Sequence, residues 1–282
     1  MTYQEVLKQG TGVLRQASIE EASVDAWYLF EDCFQMERSQ YFLIKEEEAP
    51  DETCKAYALN IEKRSHHVPL QYIIGETEFM GLPFVVNKSV LIPRQDTECL
   101  VEEVLPFVKG KSVLDMCTGS GCIAISLSVL GDASEVMGVD FSKEALKVAE
   151  QNGERNHCHV QWVYSDLFCQ IEEKYDVIVS NPPYILTQVV SGLMPEVREY
   201  EPMMALDGEE DGLAFYRRIV REAPDYLVAG GKIYFEIGCE QAADVCQMLE
   251  ERGFVQVVKK QDLALLDRVV MGIWPKMEEE HV

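Results

Sequence analysis

The sequence has no apolar stretch near the ~18 residues that a membrane-spanning helix needs, so no membrane partner is expected. Its opening residues, MTYQEVLKQG, lack the apolar segment of a secretory signal, which points to a cytoplasmic location. Positive charge is scarce: 25 Lys and Arg stand against 49 Asp and Glu, for a net charge of −24. Nucleic acids are polyanions whose binders carry a basic stripe. None is present, so no direct nucleic-acid partner is expected. The nine cysteines are odd in number and lack clustered ligand spacing, which fits a reducing compartment and predicts no metal. Cys117 and Cys122 flank a glycine turn and read as small packing residues. What the chain does have is core: 47% of its 282 residues are hydrophobic, enough for one large domain or two modest ones.

Residues 1–75 read as a small helical domain. Val6, Val13 and Leu14 share one helical face, and Ala26, Leu29, Phe30 and Phe34 another. Ala56, Leu59 and Ile61 mark a third helix, after a charged turn over 45–51. Residues 76–96 read as a linking β-hairpin, with strand, glycine turn and strand over 78–86. A helix is expected over 97–108, capped by Asp96 or Thr97. From residue 111 strands alternate with helices, the pattern of a parallel sheet covered on both faces. Strands are expected at 112–116, 135–140, 160–164, 175–180, 232–237, 254–259 and 268–273. The fold class predicted is α/β: a seven-stranded Rossmann-like sheet over 97–282, preceded by the helical domain and the hairpin. The stretch 186–204 has few helix signals and reads as a long connection, either folding over a substrate or lying free on the surface.

Residues 113–121, VLDMCTGSG, are a strand entering a glycine turn, where a ligand can approach the backbone. The loop residues Cys117, Thr118, Gly119, Ser120 and Gly121 are therefore candidate cofactor contacts. Gly119, Gly121 and Ala124 also fit the dinucleotide fingerprint, so NAD competes with other nucleoside-containing cofactors. Asp140 ends the next strand, 21 residues after Gly119, where a carboxylate accepts both ribose hydroxyls in either family. Asp115 either orients the glycine loop or meets a cationic ligand. S-Adenosylmethionine, with an ammonium and a sulfonium, suits acidic lining, whereas a pyrophosphate is repelled by it. Asp166 either accepts from an adenine amino group or caps a turn, and Leu167 can flank the base.

Asn181-Pro182-Pro183-Tyr184 follow the apolar run 175–180 at a strand's carboxyl end, where open α/β sheets bind ligands. The Asn181 side-chain oxygen and the Pro182 carbonyl are two acceptors suited to the two hydrogens of a planar –NH2 group. The prolines fix the backbone and add no competing donor. Tyr184 can pack its ring on the planar target. Such a nitrogen is a poor nucleophile, and methylating it requires that it be held and aimed. Two substrate classes fit: the exocyclic amine of a base and the side-chain amide of glutamine or asparagine. A base in a duplex must be flipped out and its backbone gripped by cations, so the acidic composition favours the protein amide. A docking protein that binds a nucleoside without turnover is the alternative from outside the enzymes.

The chain resembles the peptide chain release factor glutamine methyltransferases over nearly its full length. The resemblance runs through Pro69-Leu70-Gln71-Tyr72-Ile73-Ile74-Gly75, Leu91-Ile92-Pro93-Arg94-Gln95-Asp96-Thr97-Glu98, the 115–121 loop, Asn181-Pro182-Pro183-Tyr184 and Phe235-Glu236-Ile237-Gly238. It implies a methyltransferase that uses S-adenosylmethionine to methylate the glutamine of the release factors' Gly-Gly-Gln tripeptide. It also implies that the helical domain helps to hold the release factor. The family usually has proline where Gln95 stands, and glycine where Leu265 stands.

Overall fold

The computed structural model describes residues 1–276. Residues 277–282, the end of the expected 97–282 domain, lie outside the described residues. The chain divides into two units, one of Met1–Glu76 with Met194–Tyr200, the other of Thr77–Leu193 with the chain from Glu201 onward.

The first unit begins with α1 (Tyr3–Gln16), α2 (Ala22–Phe34), α3 (Arg38–Ile44), α4 (Asp51–Ser65) and α5 (Leu70–Ile74). Thr2 and Glu5 cap α1 reciprocally, each side chain accepting from the other's backbone N–H. Leu14, Ala26, Leu29, Phe30 and Tyr57 form its core. Gly10 is there for space: a Cβ would sit 2.1 Å from the Tyr57 hydroxyl, which donates to the Ala26 carbonyl at 3.1 Å. Arg64 is buried and bonds Asp25 at 2.7 Å and Glu196 at 3.0 Å. Tyr200 donates to the His66 carbonyl at 2.7 Å. The segment 194–200, read in the sequence as part of a connection, thus belongs with this unit.

The second unit opens with a hairpin, β1 (Glu76–Phe79) and β2 (Leu82–Val85), turned by Met80 and Gly81 at φ 52° and 73°. Two successive positive φ values match the twist of a tight hairpin. Helix α6 (Gln95–Val104) starts earlier than expected, with Arg94 at the cap position and Thr97 buried inside its first turn. Its expected end at 108 is replaced by a 3-10 turn, Leu105–Phe107, because Pro106 cannot continue the hydrogen-bond ladder. Then follow β3 (Ser112–Met116), α7 (Cys122–Gly131), β4 (Glu135–Asp140), α8 (Lys143–Arg155), β5 (Gln161–Tyr164) and β6 (Tyr175–Ser180). The stretch 186–204 is three short helices rather than plain connection: α9 (Thr187–Val190), α10 (Pro195–Tyr200, in the first unit) and α11 (Met203–Leu206). Each is too short to show a 3.6-residue period. The unit closes with α12 (Ala214–Tyr226), β7 (Leu227–Glu236), α13 (Ala242–Arg252), β8 (Val255–Gln261) and β9 (Asp267–Ile273).

The seven-stranded sheet has the order β5-β4-β3-β6-β7-β9-β8, parallel except for β9, which runs antiparallel to both neighbours. Two apolar cores cover its faces, one around Leu114, Ile178, Tyr216 and Phe235, the other around Val113, Ile125, Val177 and Tyr234. The chain moves outward from β3 to β4 and β5, then returns to place β6 on the other side of β3. The loops after β3 and β6 therefore part at this switch point and leave a crevice. Register aligns the strand ends there: Met116 pairs with Val139 and with Ser180, and Ser180 pairs with Phe235. Leu265 has φ 62°, the left-handed region that glycine enters without steric cost, which gives a physical reason for the glycine usual at this turn.

Candidate active site

The loop leaving β3 is fixed from below. Asp115 is fully buried, and its Oδ2 accepts from the Thr118 hydroxyl at 2.5 Å and the Ala124 N–H at 3.1 Å. Its Oδ1 has no hydrogen-bond partner among the described residues, and burial pushes the carboxyl up to about 7. The bonds from Thr118 and Ala124 belong to the first of the two roles open to Asp115 in the sequence, the shaping of the loop. Gly119 and Gly121 have φ 56° and 80°, as does the non-glycine Cys117 at 63°. A Cβ on Gly121 would lie 2.7 Å from the Trp162 ring, so only glycine passes there. Around Gly119 a Cβ would meet nothing, because that side of the loop faces open space. Asn152 ties the loop to the hairpin: its Nδ2 donates to the Ser120 carbonyl at 2.9 Å, and its Oδ1 accepts from the Val85 N–H at 2.6 Å.

The neighbouring strands deliver carboxylates. Asp140 accepts from the Gly119 N–H at 2.9 Å and the Ser142 N–H at 2.8 Å, while burial raises its pKa. After β5, Asp166 pairs with Arg218 of α12 at 2.7 Å, and Leu167 is buried at φ 50°. Asp166 makes no capping bond to the 3-10 turn that follows it. Left-handed backbone at two non-glycine residues beside one crevice, Cys117 and Leu167, is the kind of strain that clusters at ligand sites.

Asn181 leaves β6 with its Nδ2 donating to the Thr97 hydroxyl at 3.2 Å. Pro182 and Pro183 are buried. The Tyr184 ring packs against the core, and its hydroxyl reaches Glu236 only at 3.5 Å. Burial, with Glu236 adding to it, pushes the Tyr184 hydroxyl far above its usual pKa. Gln241 pins this loop, donating to the carbonyls of Tyr184 at 3.0 Å and Gly212 at 3.1 Å while accepting from the Gly238 N–H at 2.9 Å.

These elements surround a cavity of about 430 Å³. Of the residues predicted from sequence, Cys117, Thr118, Gly119, Ser120, Asp140, Asp166, Leu167, Asn181 and Pro183 line it. Asp115, Gly121, Pro182 and Tyr184 are not among the lining residues. The first two act from beneath the loop, and Tyr184 stands in the core behind it. Sequence reasoning missed Arg94, Phe141, Ser142, Phe215 and Arg218 as lining residues. Phe141 and Ser142 directly follow Asp140 and could have been inferred from it. Phe215 and Arg218 lie three apart, on one face of α12.

The donor set fits a cationic nucleoside better than a dinucleotide. Both arginines in the lining are already paired, Arg94 with Glu201 at 2.5 Å and Arg218 with Asp166. A pyrophosphate entering here would find no unpaired arginine and would face Asp140. A sulfonium would find a favourable field. The strand order, the single antiparallel strand β9, the glycine loop and the acid-ended β4 together define an S-adenosylmethionine-dependent methyltransferase. The comparisons with known proteins narrow that class. Residues 5–75 match the family described as PrmC N-terminal domain, and residues 94–194 match the methyltransferase small domain. The release factor glutamine methyltransferase of Geobacter sulfurreducens is 41% identical over 96% of this chain and 96% of its own length. That of Clostridium acetobutylicum is 38% identical over 97% and 99%. A solved methyltransferase from Pyrococcus furiosus has the same sheet fold, with a TM-score of 0.54 at 18% identity over 70% of this chain and 91% of its own. The chain belongs to the release factor glutamine methyltransferase family.

Proposed function

We infer that this chain methylates the side-chain amide nitrogen of the glutamine in the Gly-Gly-Gln tripeptide of peptide chain release factors, with S-adenosylmethionine as donor. The observation that carries this reading is Asn181, whose amide lines the cavity and is tethered through its nitrogen end, leaving the oxygen as an acceptor. Bound S-adenosylmethionine supplies a methyl group on a sulfonium. Asp140 and the Gly119 backbone would hold its ribose side, and Asp166 and Leu167 its base. The residues of the chain do the rest by positioning. Asn181 Oδ1 and the Pro182 carbonyl accept the two amide hydrogens and favour the positive charge that builds on nitrogen. The proton leaves once the nitrogen is cationic and acidic, so the scheme asks for no metal or general base. Tyr184 backs the Pro182–Pro183 turn from the core side. The acid surplus supports a protein substrate over a nucleic acid, and release factors act in the cytoplasm, where we place this chain. We assign the helical unit to release-factor docking.

Radiolabelled methyl transfer to purified release factor tests the reading, with a factor whose tripeptide glutamine is replaced by alanine as control. Label must appear on the first and not the second. Wild-type chain that labels neither, or labels both equally, overturns it. Asn181→Ala is expected to lower kcat by roughly 10²- to 10³-fold, the range for losing one preorganised polar contact to a transition state. Its affinity for S-adenosylhomocysteine should stay close to that of wild type.

A further inference from the structure

We propose that Thr97 and Glu236 form a positioning relay that fixes which end of the Asn181 amide faces the substrate. The proposal deepens the glutamine-methyltransferase reading and rests on it. An asparagine amide has nearly the same shape either way round, yet only its oxygen accepts a substrate N–H. Rotated by half a turn it would present its own N–H groups to the target and repel it.

The structure holds the nitrogen end inward. Asn181 Nδ2 donates to Thr97 Oγ1 at 3.2 Å. The Glu236 carboxyl lies beside both, near enough that Thr97 and Asn181 each favour its charged form. A carboxylate only accepts. In the relay the single hydroxyl hydrogen of Thr97 points to Glu236, its lone pairs turn to Asn181, and the amide nitrogen is the end that satisfies them. The oxygen is left for the cavity. Strand register makes this possible: Ser180 pairs with Phe235, so Asn181 and Glu236 come off adjacent strands side by side. Thr97 is 3% exposed and Glu236 1%, so bulk water does not compete for these bonds. Glu236 Oε2 has no partner among the described residues, which leaves the carboxyl poorly compensated as a structural group. Its role in the relay is to receive the hydroxyl hydrogen of Thr97, the group that orients Asn181.

The groups facing Glu236 are Asp96 and Thr97 on α6, Cys122 on α7, Tyr184 after β6, Tyr216 on α12 and Arg268 on β9. Burial outweighs the downward pull of Thr97, Arg268 and Asn181, and pushes the carboxyl up to about 7, with Asp96 adding to the rise. Above that pH the carboxylate accepts and the relay has one direction. Below it Glu236 carries its own hydrogen, which it can donate to Thr97, and the direction is lost.

The test uses the full chain and purified release factor, with kcat, KM and S-adenosylhomocysteine affinity measured from pH 6 to 9. Wild-type transfer is established first, and its failure would count against the function and not the relay. Thr97→Val is expected to lower kcat by about tenfold to a hundredfold with S-adenosylhomocysteine affinity nearly unchanged, and Thr97→Ser to restore most of the loss. Glu236→Gln should lower kcat similarly and abolish the decline that wild type shows below about pH 7. The Asn181 side-chain N–H2 resonances, assigned by their absence in Asn181→Ala, should shift with pH near 7 in wild type and not in Glu236→Gln. Wild-type kcat in Thr97→Val, no recovery in Thr97→Ser, or an acid limb retained in Glu236→Gln would overturn the relay. If Glu236→Gln does not fold, the Thr97 pair decides the matter alone.

Discussion

Asp115→Asn separates the shaping of the glycine loop from the charge that does it. In the wild type the buried carboxyl rises from its ordinary 3.8 to about 7, because burial outweighs the bonds from Thr118 and Ala124. The sign of the linkage follows. The folded chain binds this proton more tightly than the unfolded chain, so the associated stability is fully present below about pH 4 and is lost as pH rises to about 7. Each pH unit between the two values is worth ~1.4 kcal/mol, so the charge costs up to ~4 kcal/mol at pH 8. Asparagine carries no charge at any pH. Its oxygen can keep the bonds from Thr118 and Ala124, while its N–H2 takes the place of the unpartnered Oδ1. A buried donor without an acceptor costs ~1–3 kcal/mol. The variant should therefore be less stable than wild type by that amount below about pH 4, and within about 1–2 kcal/mol of it at pH 5, where the wild type has already lost part of this stability. At pH 8 it should exceed wild type by about 1–3 kcal/mol. Urea unfolding of both chains at pH 5, 6, 7 and 8 measures the difference directly. A stability difference that stays constant across this range would refute the assignment of a raised pKa to Asp115.

Two further substitutions test the packing that supports the site and the helical unit. Gly121→Ala should destabilise by ~2–5 kcal/mol, combining the left-handed backbone cost with crowding against Trp162 and measured by urea midpoint; an unchanged midpoint would contradict the close approach. Arg64→Met leaves the buried Asp25 without its cation and takes one partner from the half-buried Glu196, which also meets His67 at 3.0 Å; this should cost ~3–5 kcal/mol and raise hydrogen exchange across 194–200, and unaltered protection there would count against the ion triad as what attaches that segment.

How far the fold could be read from the sequence depended on element length. β3, β4 and β6 have the bounds expected from their apolar runs, because a strand buried on both faces has no polar positions to blur its ends. β7 begins at Leu227, five residues before the expected 232, because Gly230 and Gly231 hid the start of the strand behind a turn signal. α3 and α5, of seven and five residues, were not separated from their neighbours. The N-cap of α6 was placed on Asp96 or Thr97 by residue type, but the Thr97 hydroxyl is engaged with Asn181 instead of the helix backbone.

The site was legible where a side chain's chemistry is tied to a strand end, and not where it depends on which strands are neighbours. Asp140 and Asn181 could be assigned because each closes an apolar run next to a turn. Glu236 closes one too, and within Phe235-Glu236-Ile237-Gly238 it carried no role in the sequence. What gives it one is that β7 lies beside β6 with Ser180 opposite Phe235. Alternation within a strand fixes which face a residue takes, not which strand it meets, and a slip of one residue in that pairing would turn Glu236 to the opposite face of the sheet from Asn181. The same dependence explains Thr97. Its hydroxyl is an ordinary helix-capping group until α6 is laid across the end of β6, where it becomes an acceptor for the Asn181 amide nitrogen at 3.2 Å. The order of the strands, more than the motif alone, is therefore what turns an asparagine at the end of β6 into an acceptor with a defined direction.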